Sequence, residues 1–352
     1  MHARTFLPGQ IWLDTSGNRI QAHGGSIIFL GDTFYWYGEN KEKSLPGSGI
    51  WHWGVRCYES KDLYNWVDKG IIIPPDLDDA ESPLHPSKCM DRPHIIYNRF
   101  TKKFVCWLKI MESTHVQAET ILVADNFLGP YTIVCKGYQP LGMNAGDFDL
   151  VVNPSDGKAY YYFERVHTEL ICADLTWDYS QVTGYYSSHF PRKYPPFVRE
   201  APAYFHRKSL HYLFTSGTTG YHPNPSEVAC AELFHGPWRL LGNPHIGDSS
   251  KTSFNSQISS VFKHPWKKDL YIALADRWMP DLPGTPGIYD KVAARFEAVF
   301  NPDASKPDID VSIGSSHTLN TSVADYVWLP VRFEGEMAYL DWKDQWRIED
   351  YD

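Results

Sequence analysis

The chain has 352 residues, of which 43% are hydrophobic and 15% aromatic, and its formal net charge is −9. This hydrophobic fraction can fill a sizeable core, so an intrinsically disordered chain is excluded. The negative charge, without any basic run, is the opposite of what a nucleic-acid-binding surface needs, and it disfavours a polyanionic ligand. No stretch reaches the ~20 apolar residues of a membrane span.

The first segment, residues 1–19, carries charged and polar residues where a signal peptide has its apolar core. The six cysteines form no Cys-x-x-Cys pair, and several lie inside apolar runs, where free thiols behave as small hydrophobes. We therefore expect a cytoplasmic protein with free thiols, or a secreted one if a leader has been removed. We also expect a monomer.

Short aromatic and β-branched runs, separated by Gly, Pro, Asn and Asp, predict an all-β chain. Five times, an apolar run, a polar turn and a second, aromatic run follow one another, which is typical of a hairpin. In chain order the five pairs of runs are residues 26–30 and 34–37, 94–97 and 104–108, 150–152 and 159–163, 203–205 and 210–214, and 259–262 and 270–274.

A strand end, a turn and an aromatic residue recur downstream, at residues 58–66, 124–131, 173–177 and 231–238. One unit therefore holds about four strands in roughly 50 to 70 residues, as a β-propeller blade does. Five units use nearly the whole chain, so we predict a single-domain five-bladed β-propeller over residues 1–352, with blades opening near 23, 91, 147, 200 and 257. Strands within 326–342 would complete the last blade and close the ring.

Each unit's first strand begins with a polar residue that apolar residues follow. In chain order these residues are His23, Asp91, Asp147, Glu200 and Gln257. Because the opening strand of a blade is the innermost, we expect the five side chains to ring one end of the central channel. Carboxylates that converge in a desolvated depression have pKa values pushed apart, as hydrolysis of glycosidic bonds requires. The alternative is that these residues tie the blades together through backbone hydrogen bonds.

Nine motifs follow one another in the places just described. They are QAHGGSII at 21–28, YWYGE at 35–39, DRP at 91–93, GDFDL at 146–150, REAPA at 199–203, TSGTTGY at 215–221, SQ at 256–257, DRW at 276–278 and YVWLP at 326–330. Together they resemble glycoside hydrolase family 43, most of all the branch that contains the exo-β-1,3-galactanases (a type like subfamilies 24 and 34). The resemblance extends from residue 10 to residue 350.

The resemblance implies an inverting exo-glycosidase in which Glu200 is the general acid and Asp147 orients it and raises its pKa. Most of the family has a general-base Asp in the first blade, where this chain has residues 22–24, Ala-His-Gly. The exo-β-1,3-galactanase branch also lacks that base and is thought to use a Gln, as its imidic acid tautomer, at the position of Gln257. The same branch carries a Glu where this chain has Asp91, so strict galactanase specificity is not implied.

By the same similarity, Glu39 and the 218–220 loop, with Thr218 and Gly220, would hold sugar hydroxyls in a pocket closed at one end. His23 is predicted to be a hydrogen-bonding residue of the axis that contributes to substrate binding. It is not predicted as a metal ligand, because no metal-ligand spacing accompanies it. We predict no metal and no cofactor, although some family members hold a structural calcium in the channel.

Tyr221, Trp278 and Trp328 are predicted stacking platforms for sugar rings, while core packing is the alternative for each of them. The leading hypothesis is an exo-β-1,3-galactosidase that acts on the galactan of arabinogalactan. The alternatives are an α-L-arabinofuranosidase or β-xylosidase of the same family, and an inactive carbohydrate-binding propeller, which the missing first-blade Asp suggests. All three predict an oligosaccharide or polysaccharide partner and neither nucleic acid nor membrane.

Overall fold

Five β-sheets are arranged in a ring. The computed structural model describes residues 4–113, 116–282, 286–307 and 319–352, and these residues form a five-bladed β-propeller. The innermost strands of successive blades contact each other, and the innermost strand of the fifth blade contacts that of the first. The prediction of an all-β, five-bladed propeller is therefore confirmed.

Blades one to four are each four consecutive strands, which run in sequence order from the axis to the rim. Blade one contains β1 (His23–Leu30), β2 (Thr33–Glu39), β3 (Val55–Ser60) and β4 (Val67–Ile73), and blade two contains β5 (Cys89–Asn98), β6 (Lys103–Ser113), β7 (Val116–Ala124) and β8 (Thr132–Tyr138). Blade three contains β9 (Ala145–Val152), β10 (Ala159–Arg165), β11 (Glu169–Leu175) and β12 (Val182–His189). Blade four contains β13 (Arg199–Arg207), β14 (Leu210–Gly217), β15 (Glu227–Ala231) and β16 (Arg239–Gly242).

Blade five takes its strands from the rest of the chain. These are β17 (His245–Ile246), β18 (Gln257–Lys263), β19 (Tyr271–Arg277), β20 (Asp325–Tyr326), β21 (Leu329–Glu334) and β22 (Met337–Asp341). β18 is innermost, and the short β17 pairs in parallel with β22 at the rim. The strands expected within 326–342 thus complete the last blade.

One helix, α1 (Ile288–Phe300), interrupts blade five between β19 and β20 and is absent from the sequence prediction. It buries Val292, Ala293 and Phe296, a spacing that matches one face of a helix. The ring of Phe300 meets His167, in the β10–β11 turn of blade three, edge-on at 4.7 Å. The helix therefore reaches from blade five to blade three. No helix within the described ranges is long and apolar enough to cross a membrane.

The segment that precedes β1 clasps blade five before the chain enters blade one. Phe6 and Trp346 exchange backbone hydrogen bonds of 2.9 and 3.2 Å, and the Gly9 amide donates to the Tyr326 carbonyl at 2.7 Å. The Phe6 ring stacks on Trp346 with centroids 4.3 Å apart. The ring of blades is thus closed by this N-terminal clasp together with the contact of β1 with β18.

The core between blades five and one contains Trp328, which is only 1% exposed. Its ring contacts Trp36 at 4.5 Å, Trp12 at 4.9 Å and Trp66 at 6.2 Å. No face of the indole is left for a sugar. The prediction of Trp328 as a stacking platform is wrong, because the side chain points into the core between the blades rather than towards the axis.

Candidate active site

Backbone irregularities mark the start of three innermost strands, where the predicted site residues lie. Gly24, Arg92 and Ala201 have φ values of +60°, +54° and +48°, and the strand register shifts at each of these places. A bulge of this kind bends the strand and re-aims the neighbouring side chain. For Arg92 and Ala201 the left-handed conformation costs roughly 1–2 kcal/mol each, which the surrounding structure must offset.

Gln257 is hydrogen-bonded directly to the predicted acid. Its Nε2 donates to Glu200 Oε1 at 3.2 Å and to Ser216 Oγ at 3.0 Å, while its Oε1 accepts from Arg92 Nη2 at 2.6 Å. An arginine can only donate, so this last bond fixes which way the amide points. The same Arg92 nitrogen lies 3.0 Å from Asp147 Oδ2. Asp147, Glu200 and Gln257, from three blades, therefore meet around one arginine.

Asp91 joins this group through Lys109, which stands directly opposite it on β6. The Lys109 ammonium lies 2.7 Å from Asp147 Oδ1 and 3.1 Å from Asp91 Oδ2. The other oxygen of Asp91 accepts from Trp51 Nε1 at 2.7 Å. Four of the five predicted axis residues are thus brought together. Arg92, Lys109 and Trp51 were not predicted as site residues, since their types and spacing carry no catalytic signature.

Glu39 lies in the same group, at the end of β2. Its Oε1 accepts from the Arg92 backbone amide at 2.9 Å, and its Oε2 lies 2.8 Å from Lys41 Nζ. A Cβ on Gly24 would collide with Glu39 Oε1, so the glycine leaves the room that this carboxylate occupies. Burial, partly offset by Lys41, raises the pKa of Glu39 to about 7.

The pKa values of the two central carboxyl groups are shifted in opposite directions. Burial, together with the charges of Asp147 and Glu164, raises the pKa of Glu200 well above its usual value. Burial also disfavours the ionised form of Asp147, but Arg92 and Lys109 outweigh it and lower the pKa of Asp147 to about 2. This separation of pKa values is the one on which acid catalysis depends.

Asp91 is also held ionised. Its burial favours the neutral form, but Lys109, Lys41 and the hydrogen bond from Trp51 outweigh that effect and lower the pKa of Asp91. Its side chain is 14% exposed. The site thus combines a carboxyl group of lowered pKa on blade two with one of raised pKa on blade four.

Glu164, near the end of β10, is a further carboxyl that the sequence analysis did not single out. Its Oε1 accepts from the His167 amide at 2.8 Å, and a Cβ on Gly146 would collide with its Oε2. Burial, with the charge of Asp147, raises the pKa of Glu164 to about 7. The available signal was a carboxylate that continues a buried aromatic strand, where a solvated residue would not be expected.

His23 does not face the pocket. It is fully buried, with Nδ1 2.9 Å from Asp276 Oδ1 and Nε2 3.3 Å from the Tyr326 hydroxyl, and its ring stacks on Tyr326. The other oxygen of Asp276 accepts from the Gly24 amide. His23 is therefore a hydrogen-bonding residue that ties blade one to blade five. The prediction that it binds substrate is wrong, because both ring nitrogens are occupied and no atom is accessible.

An aromatic wall formed by Trp51, Tyr221 and Trp278 joins loops of blades one, four and five. Tyr221 lies 4.9 Å from Trp278 and 6.1 Å from Trp51, measured between ring centroids. Burial and the nearby charges of Asp91 and Glu39 raise the pKa of the Tyr221 hydroxyl well above its usual value. The wall adjoins the carboxylates through Trp51, whose Nε1 donates to Asp91 Oδ1.

The loop that carries Tyr221 is tied down at its start. The buried Thr218 hydroxyl donates to the Val198 carbonyl at 3.0 Å. Gly220 has φ +57°, and a Cβ there would lie 3.9 Å from Phe296 of α1. Direct contact of Thr218 or Gly220 with a sugar stays a prediction. Within the described ranges, no three His, Cys, Asp or Glu side chains are grouped as metal ligands.

Carboxyl groups with separated pKa values, gathered at the axis of a five-bladed propeller, are what a glycoside hydrolase needs. Residues 20–277 match the sequence model of glycosyl hydrolases family 43. The chain belongs to this family. No curated protein sequence matches it.

Solved structures of the same family superpose on nearly the whole chain. A family 43 β-1,3-galactosidase, BT0265, is 27% identical with a TM-score of 0.79 and covers 100% of this chain, which spans 65% of the length of BT0265. A second β-1,3-galactosidase, BT3683, solved with galactodeoxynojirimycin, is 27% identical with a TM-score of 0.77 and is aligned over 97% of this chain and 100% of its own. An exo-β-1,3-galactanase from Clostridium thermocellum is 25% identical with a TM-score of 0.73, over 97% of this chain and 66% of its own.

Proposed function

We propose that this glycoside hydrolase is an exo-acting β-1,3-galactosidase, which releases galactose with inversion from the non-reducing end of β-1,3-galactan, as in arabinogalactan. The observation that carries the proposal is the meeting of Glu200, Asp147 and Asp91 in one group linked by Gln257, Arg92 and Lys109. In this group the charge of Asp147 raises the pKa of Glu200. The names of the similar β-1,3-galactosidases support the choice of sugar and linkage. No metal or cofactor is needed for this chemistry.

Glu200 acts as the general acid in this proposal. Its proton passes to the glycosidic oxygen while the bond from that oxygen to the anomeric carbon breaks, and a water attacks the anomeric carbon from the opposite face. Asp147 keeps its charge throughout, because Arg92 and Lys109 hold it ionised. That charge raises the pKa of Glu200, so the acid enters the reaction with its proton.

The base that takes the proton from water is proposed to be Asp91. Inverting enzymes hold the acid and the base about 6.5–9.5 Å apart, whereas Gln257 is bonded directly to Glu200. The Oε1 of Gln257 is also occupied by Arg92, and a neutral amide is a poor base. Asp91 is ionised and lies on another blade. Gln257 as imidic acid is the alternative, and it requires the Glu200 bond to break when the sugar enters.

A second candidate function, carbohydrate binding without hydrolysis, is favoured by one observation. His23, at the first-blade position where most of the family has its base, is buried and bonded to Asp276. Blade one therefore offers no base there. This candidate predicts that calorimetry detects sugar affinity while a high enzyme concentration releases no product.

The proposed function is tested with β-1,3-galactobiose and β-1,3-galactotriose, and with nitrophenyl β-galactoside, α-L-arabinofuranoside and β-xyloside as the panel for other sugars. We expect galactose as the first product, and proton NMR during the first minutes should show its α-anomer. Arabinose or xylose release without galactose release would overturn the proposed substrate. The β-anomer as first product would overturn inversion.

A further inference from the structure

Two lysines, Lys109 and Lys41, lie among the carboxylates of the site. They differ in whether a ligand can reach their ammonium groups. Lys41 is fully buried, and its Nζ lies 2.8 Å from Glu39 Oε2, 3.0 Å from the Trp51 carbonyl and 3.8 Å from Asp91 Oδ1. An ammonium has three N–H donors. The Lys41 side chain is 0% exposed, so a sugar cannot reach these donors.

The Lys109 ammonium has acceptors for two of its donors, Asp147 Oδ1 at 2.7 Å and Asp91 Oδ2 at 3.1 Å. Over the ranges that the structure describes, no third acceptor for it is found. The Lys109 side chain is 12% exposed, and the two carboxylates that flank it are 14% and 9% exposed. The ammonium and both carboxylates are therefore each partly exposed, and the ammonium keeps one N–H for a ligand.

The surroundings of Lys109 determine what this donor can bind. An anionic group that approached it would also meet the negative charges of Asp91 and Asp147, at a separation where like charges repel strongly. A hydroxyl group can accept the hydrogen bond without that penalty. A hydrogen bond from a charged donor is about twice as strong as a neutral one, so the contact would discriminate between sugars that carry and lack the hydroxyl.

We propose that Lys109 donates its third N–H to one hydroxyl group of the sugar in the pocket, and is thereby a specificity-determining residue. The identity of the sugar in this inference rests on the proposed function. The contact between Lys109 and a sugar hydroxyl does not depend on it. Asp91 directly opposite Lys109 in the sheet holds the ammonium back against blade two. The hydroxyl that it meets is therefore one on the blade-two side of the sugar ring.

The test is a double-mutant cycle between Lys109→Met and the hydroxyl groups of the substrate. The 2-, 3-, 4- and 6-deoxy analogues of an aryl β-galactoside are compared with the parent by kcat/KM. In the wild type, we expect the deoxy sugar that lacks the contacted hydroxyl to be about 10- to 100-fold poorer. In Lys109→Met, the loss of kcat/KM for that one deoxy sugar, the deoxy penalty, should fall to less than about threefold. The deoxy penalties of the other three sugars should persist.

Lys41→Met is the matched control, because it removes an ammonium of the same site that is 0% exposed and that a sugar cannot reach. It should keep all four deoxy penalties, whatever its overall rate. If Lys109→Met also keeps all four, the proposed contact is refuted. If circular dichroism shows that Lys109→Met does not fold, Lys109→Arg replaces it. The planar guanidinium of arginine cannot take the position of the ammonium, so the loss of kcat/KM for that same deoxy sugar should change. If the losses for all four deoxy sugars stay as in the wild type, the contact is refuted.

Measurements on the wild type alone distinguish a failure of the proposed contact from a failure of the proposed function. Cleavage of the parent β-galactoside by the wild type supports the function whatever the deoxy series gives. If the wild type instead cleaves another sugar of the panel, the deoxy series of that sugar is used. If it cleaves none, calorimetric affinities for galactose and its deoxy analogues replace the rates, with the same expected pattern.

Discussion

Gln257 donates a hydrogen bond to Glu200 across 3.2 Å, so the proposed acid on blade four is joined to the first residue of blade five. The bond occupies an oxygen of the carboxyl group that must deliver a proton. The other oxygen, Oε2, is left to carry the proton. In the proposed reaction, the Gln257 amide therefore orients the Glu200 carboxyl group while its Oε2 faces the glycosidic oxygen.

Replacing Glu200 with Gln should nearly abolish hydrolysis of β-1,3-galactobiose. General acid catalysis contributes about 10²–10⁴-fold, and the sugar leaving group of the disaccharide depends on it. An aryl galactoside with a good leaving group needs less protonation, so its kcat should fall much less. Full activity of Glu200→Gln on galactobiose would show that the acid is another residue.

The activity that is lost when the proposed base is removed should be restored by an added nucleophile. Asp91→Asn leaves the acid in place, so we expect a loss of about 10²–10⁴-fold with water as the nucleophile and recovery when azide is added, with α-galactosyl azide as the product by NMR. Gln257→Ala is the comparison variant. If azide rescues Gln257→Ala and not Asp91→Asn, the amide is the base and Asp91 has a different role.

Replacing Asp147 with Asn should shift the pH profile. Its negative charge raises the pKa of Glu200, so its removal should lower that pKa and move the alkaline limb of kcat/KM to lower pH. Asp149, on the same strand, is the matched control, because it pairs with His94 at 2.8 Å and accepts from the Tyr204 amide. Asp149→Asn should lower the melting temperature and leave the limb in place. An unmoved limb in Asp147→Asn would exclude the electrostatic role.

The pH dependence of stability should reveal Glu164. Its pKa is raised from 4.5 to about 7 in the folded protein, so the folded state binds the proton more tightly than the unfolded chain. The stabilisation is complete below about pH 4.5 and is lost as the pH rises through 7. Glu164→Gln cannot ionise, so its free energy of unfolding relative to the wild type should be higher at pH 8 than at pH 5. The same difference at both pH values would contradict this.

Replacing Trp328 with Ala should lower stability, whereas replacing Trp278 with Ala should weaken substrate binding. Trp328→Ala removes a fully buried indole from the core between blades five and one, and should lower the free energy of unfolding by about 3–5 kcal/mol without changing the KM of the folded fraction. Trp278→Ala, next to Tyr221, should raise KM. Urea denaturation and steady-state kinetics measure the two effects, and an altered KM in Trp328→Ala would mean that this core communicates with the pocket.

The blades were predictable because alternation and turn chemistry repeat along the chain, and the polar residue that opens each inner strand marks the axis. The direction in which an individual side chain points was not predictable from the sequence. Trp328 and His23 occupy motif positions, but one points between blades and the other is fully bonded within the protein. Lys109 is brought to Asp91 by pairing across the sheet, and that pairing cannot be read from a single strand.

Helix α1 was missed for a related reason. Its apolar residues do recur with a helical period, as the buried Val292, Ala293 and Phe296 show, but the segment lies inside the fifth of five strand repeats, whose pattern dominates the chain. Its place over blades three and four is fixed by contacts far away in the sequence, such as that of Phe300 with His167. Such tertiary contacts cannot be read from the segment itself.

The N-terminal clasp has a consequence for how the protein is made. The Thr5 hydroxyl donates to the carbonyl of Trp346, 341 positions later, and Phe6 pairs with the same residue. Thr5 must therefore wait for a residue that is synthesised 341 positions later. Individual blades can form during synthesis, but the circle is completed only after Trp346 has left the ribosome, and until then the facing sides of the first and fifth sheets stay open to chaperones and to aggregation.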